Sequence, residues 1–155
     1  MPLGYFADLD AAKAYFTDER LETSAWDDLE DIYKTKAIVN AYNRLYYHPD
    51  YALPAYVEAT AAELVYLTKA NAEMAYYMCQ HLADEDRRKG LQSQGVTTAG
   101  IVKEVYDKNM LNEIPIPPFV DALLDDAGFK TLSGFGIIDI DRDEDESVST
   151  KIDEF

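Results

Sequence analysis

The sequence predicts a mainly α protein: a small antiparallel helix bundle with an extended β-like arm and an extended C-terminal tail. Three observations carry that expectation. Apolar residues recur at three and four positions over long stretches before residue 127. A cluster of β-branched and aromatic residues follows at 96–107. After Gly128 the chain turns to glycine-spaced apolar residues and then to an acidic run. The expected organisation is a helical body over 1–127, with the arm at about 96–113, and a tail over 128–155.

Each helix has its own local signature. Asp8 or Asp10 can cap a first helix running to about Glu19, with Leu9, Ala12, Tyr15 and Phe16 on one face. Thr23 and Ser24 offer a second cap, just ahead of Trp26 and Leu29. A long helix, or two with a break near Ile32, then runs to about Tyr46. Its apolar face is Leu29, Tyr33, Ala37, Ile38, Ala41, Tyr42 and Leu45. Pro49 ends it, because proline disfavours helix in the residue before it. A connector, with room for one helical turn, covers 51–56.

Thr60 and Glu63 form a capping box, in which each side chain satisfies a free amide of the first turn. The helix it opens is expected over 61–83. Leu64, Thr68, Ala72, Ala75, Cys79 and Leu82 alternate steps of three and four, as a packing seam against Ile38, Ala41 and Leu45. The charged, glycine-containing stretch 84–95 reads as helix end plus loop. Val96, Thr97, Thr98, Ile101, Val102, Val105 and Tyr106 suit an extended arm or hairpin, with a helix through Ile101, Val105 and Lys108 as the alternative. Consecutive prolines keep 114–118 extended, because they fix φ and remove amide donors. Pro118 can sit in the first turn of a last helix over 119–127, and Gly128 fits the position after its end.

Composition narrows the function. The chain has 155 residues, 48% of them apolar, enough for one domain with a true core. Its net charge of −16 repels phosphate backbones and argues against tight nucleic-acid binding. Cys79 is the lone cysteine, so no intramolecular disulfide can form. No stretch has the length of a membrane span, and the start lacks the charged-then-apolar pattern of a signal peptide.

Chemistry is sparse. Cys79 and His81 lack the further ligands that a zinc site needs. Asp139, Asp141, Asp143 and Asp145 resemble a calcium loop. However, Glu144 stands where that loop needs glycine, and Thr150 where it needs a bidentate glutamate. Phosphate-binding and nucleophile motifs are missing. The expectation is a protein with no enzymatic role, no cofactor and no metal. Arg87, Arg88 and Lys89 form a basic triplet suited to a helix C-terminus.

The order of the pieces resembles the head-to-tail adaptor, or connector, proteins of tailed bacteriophages, one branch of which is often labelled DnaT-like single-stranded-DNA-binding. The residues that carry it are "YFADLDAAKAYFTDERLETSAW", "KAIVNAYNRLYY", "ATAAELVYLTKANAEMAYYMCQHLA" and "GIVKEVYDKNMLNEIPIPPFVDALLDD". The resemblance implies a helix bundle with an extended arm, twelve copies of which ring the portal vertex while a C-terminal tail runs along the portal subunits. It implies a structural virion protein of the neck, assembled in the host cytoplasm. Its partners would be the portal, other neck and tail proteins, and genomic DNA passing through the lumen without adsorbing. Phe129, Phe135, Ile137, Ile138 and Ile140 are the expected portal-binding residues, on a tail disordered until it docks. Tyr66, Tyr76, Tyr77, Val102 and Tyr106 are the expected subunit contacts. The alternative is a single-stranded-DNA-binding replication protein, although no basic-aromatic groove supports strand binding.

Overall fold

A computed structural model of the chain describes residues 2–94 and 115–131, together with the backbone of 98–99 and 104–105. Its elements are α1 (Leu9–Asp18), α2 (Ser24–Asp27), α3 (Asp31–Tyr46), α4 (Ala61–Ser93), β1 (Thr98–Ala99), β2 (Glu104–Val105) and α5 (Pro118–Asp126). The protein is mainly helical, a small bundle, with β1 and β2 paired antiparallel as Thr98 with Val105 and Ala99 with Glu104. That pair lies within the expected arm, and the rest of 96–113 is outside the described residues.

Side-chain caps fix the starts of α1 and α4, whereas Thr23 stands at the N-cap of α2 without a side-chain cap bond. Asp8 accepts a bond from the Ala11 amide, and Thr60 with Glu63 forms the full capping box. The break between α2 and α3 lies at Asp28–Glu30, slightly before the expected place. There Glu30 turns extended, with ψ of 154°, to start α3.

Helix α4 differs most from expectation. It spans 33 residues rather than ending near 83. Asp84 and Glu85 precede Arg88 and Lys89 by four residues, the favourable order on a helix. Glu85 also pairs with Arg44 of α3 at 3.1 Å. Gly90 costs a helix only about 1 kcal/mol, too little to end it.

The expected seam on α4 is also too narrow. Leu67, Ala70, Asn71, Ala72, Met74, Ala75, Tyr76 and Met78 are buried, whereas Leu64, Cys79 and Leu82 are only partly so. The cause is topological. Helices α1, α2, α3 and α5 all pack on α4, so several of its faces are covered. On α3, Ile38, Ala41 and Leu45 are fully buried, as their spacing requires.

Two short segments close the core. At the N-terminus, Leu3 and Phe6 exchange backbone bonds of 2.8 and 3.0 Å around Gly4, whose φ is +60°. This turn presents the Tyr5 amide to the side chain of Asn71 at 3.0 Å, and Asn71 in turn donates to the Ile38 carbonyl at 3.0 Å. At the other end, Gly128 adopts φ of +76°. The Gly128 amide donates to the Asp125 carbonyl and the Phe129 amide to the Leu124 carbonyl, both at 2.9 Å. These two bonds form a Schellman motif, which brings Phe129 back onto the helix it follows.

Phe129 is therefore not on a detached tail, as the sequence reading expects. It is buried in the core. The chain continues as an isolated antiparallel bridge, Tyr51 to Lys130, and stays on the body as far as Thr131. The body thus reaches beyond 127, and residues 132–155 lie outside the described residues.

Candidate functional site

The expected site residues fall into three groups. Phe129, as above, belongs to the core. Phe135, Ile137, Ile138, Ile140, Val102 and Tyr106 lie outside the described residues. The three tyrosines of α4 can be placed individually.

Tyr76 is 2% exposed and cannot serve as an open subunit contact. Its hydroxyl donates to Glu22, and the Arg20 guanidinium lies 3.7 Å from the centre of its ring. Arg20 also pairs with Glu73, which accepts from the Tyr15 hydroxyl at 2.8 Å. This polar network ties the loop after α1 to α4. Tyr77 is half-buried, as is Tyr66. Tyr77 stands 4.9 Å from the His81 ring, in a hollow of about 180 Å³ shared with Asp84, Glu85 and Arg88. Burial, and then the Glu85 carboxylate, push its hydroxyl up to about 12.

Glu22 supplies a pH-dependent contact. Hydrogen bonds from the Ser24 hydroxyl, then from Tyr76 and the Ser24 amide, hold its carboxyl down at about 2. A carboxyl depressed by folding stabilises the fold fully above its unfolded value of 4.5, and that contribution fades as pH falls toward about 2. Denaturation midpoints of wild type should therefore fall over that window, and those of Glu22→Gln should fall less. Because Glu22 is exposed, the effect will be modest.

The sequence reading misses an apolar groove between α3 and α4. Leu29, Tyr33, Ala37, Met78, Cys79 and Leu82 line one part of it, about 260 Å³. It continues past Asn40 to Asn43 and Arg44 in a second hollow of about 410 Å³. Beside it, Ile32 and Val39 are exposed on the outer side of α3, and Val65 and Phe119 are exposed elsewhere. The signal was available: Tyr33, Ala37 and Asn40 share a stripe of α3 distinct from that of Ile38, Ala41 and Leu45. Burial raises the Cys79 thiol above its ordinary value.

Near the C-terminal bridge, Asp121 accepts from the Tyr51 hydroxyl at 2.6 Å and from Lys130 at 2.8 and 2.9 Å. The Lys130 bond, then that from Tyr51, lowers the Asp121 carboxyl below its usual range. Among the described residues, no three His, Cys, Asp or Glu side chains come together as a metal-binding set. No helix among them is long and apolar enough to cross a membrane. Comparison with family models, with curated proteins and with solved structures finds no match to this chain.

Proposed function

We propose that this chain is the adaptor subunit of a tailed-phage neck, a structural virion protein that assembles as a ring between portal and tail. The observation that carries the reading is the order of parts. A helix-centred body is followed by an antiparallel hairpin, a short last helix and an acidic, apolar C-terminal segment. The resemblance in sequence gives that order a role. The net charge of −16 suits a lumen through which DNA slides without adsorbing. Tyr66, Tyr77 and the exposed Ile32, Tyr33 and Val39 are the available surfaces for neighbouring copies. Each copy of a cyclic ring uses two different faces.

The test is a truncation after Thr131, because Phe129 belongs to the core. The shortened chain should keep its helical circular dichroism and lose attachment to portal-bearing heads. Normal attachment without 132–155 would remove the role given to the tail. Micromolar or tighter retention of single-stranded DNA at about 150 mM salt would favour the replication alternative instead.

A further inference from the structure

Leu21 is the most exposed large apolar side chain among the described residues, yet its loop is tied down on both sides. Arg20 pairs with Glu73 and lies over the Tyr76 ring. Glu22 accepts from the Tyr76 hydroxyl and, at 3.0 Å, from the Ser24 amide. The Arg20 Nε–H then closes the loop on itself, donating to the Glu22 carbonyl at 2.8 Å. Leu21 is thus held at the tip of a fixed turn. A residue presented in this way has little freedom left to lose on binding.

One exposed leucine needs no partner by itself. The open groove between α3 and α4 supplies one, and two observations match it to the loop. The first is charge. The loop and its flanks carry Asp18, Glu19, Glu22, Asp27 and Asp28, and Arg20 among them is already engaged with Glu73. The groove instead has the exposed Lys36 in its lining, 5.1 Å from the Tyr33 ring. Opposite charges at the rim favour one docking orientation.

The second observation is placement. The loop is bound to Glu73 and Tyr76 of α4, whereas the groove uses Met78, Cys79 and Leu82. At 3.6 residues per turn, these two sets centre roughly 140° apart around the helix. Knob and hollow therefore lie on nearly opposite sides of α4, so the bound loop faces away from its own groove. A second copy can bring the two together. An apolar knob that fits a pocket elsewhere on the same molecule makes a head-to-tail contact, which a suitable rotation closes into a ring.

We propose that Leu21 of one copy fills the α3–α4 groove of the next, with the acids of the loop facing Lys36 at its edge. The contact rests on the ring reading only in taking a copy of this chain as the occupant. Its test contains no portal, so the contact and the neck role fail separately.

The groove already holds the lone thiol, Cys79. The variant Leu21→Cys/Cys79→Ser carries its thiol on the loop instead. The two chains are mixed at about 1 mM, where even a millimolar contact is well populated, and oxidised mildly. Position 21 should link to Cys79 on the order of tenfold more than either chain links to itself. Leu21→Cys alone should give a ladder of linked chains, because each copy then has both ends. An excess of 21–21 or 79–79 links over the mixed link would overturn the proposal. If no thiol reacts, sedimentation equilibrium decides. Self-association of the wild type should weaken about tenfold in Leu21→Asp, with the thermal midpoint unchanged because the side chain is exposed. Equal sedimentation of the two chains would overturn the proposal.

Discussion

Asn71→Leu should lower the unfolding free energy by about 2–4 kcal/mol, although the two side chains share one branched shape. Asn71 is fully buried. Its Oδ1 accepts from the Tyr5 amide, and its Nδ2 donates to the Ile38 carbonyl. Leucine would leave the buried Tyr5 amide without its acceptor, and an unpaired buried donor bears its full desolvation cost. The same bond can be attacked from the other side. A Cβ on Gly4 would stand 2.3 Å from Asn71 Oδ1, and φ of +60° already disfavours any side chain. Gly4→Ala should therefore also destabilise, and the double variant should cost less than the sum of the singles, because both remove one contact. Chemical denaturation of the three variants measures this. Simple additivity would mean that the turn and Asn71 are not coupled.

Trp26→Ala should be the other severe change, at about 3–5 kcal/mol. The indole is 1% exposed and stacks on Phe16 at 4.0 Å between ring centroids. Helix α2 has four residues and cannot hold itself together by backbone bonds. Packing of Trp26 fixes it in place, so truncation removes both a core ring and the anchor of a helix. Trp26→Phe keeps part of the stack and should cost less. Trp26 is the lone tryptophan, so unfolding of these variants must be followed by circular dichroism. An alanine variant with an unchanged midpoint would contradict the assigned core.

Much of this architecture is legible in the residues. Asp8, the Thr60–Glu63 box and Gly128 mark three helix ends through local hydrogen bonding, and Pro118 marks a fourth through its fixed φ, none of which needs tertiary context. Ile38, Ala41 and Leu45 are legible because α3 buries one main face. Helix α4 is less so. A helix packed by four others buries several stripes, and no single period describes them. Its last ten residues include Arg87, Arg88, Lys89, Leu91 and Gln92, good helix formers that charge and Gly90 disguise as a loop, and the Arg44–Glu85 pair is invisible without the fold. Phe129 is a different case. Gly128 was assigned to the position after the helix, and an apolar residue next to that glycine commonly folds back on the last turn. The local signal for its burial was present, and charge and glycine content beyond it drew attention away. The N-terminal turn left no periodic trace, since its function is to feed one amide to Asn71.

The groove was missed for a related reason. Tyr33, Ala37 and Leu82 read as core positions, yet the described body leaves them lining an open hollow.

The proposed role is completion of a ring on a portal. The most direct measurement is the mass of the purified full chain, alone and mixed with its cognate portal. An adaptor subunit should give a stable complex with the portal, in which the chain occupies a closed ring of copies at fixed stoichiometry. A chain that leaves the portal unchanged in mass, or that decorates it with scattered single copies, would contradict it.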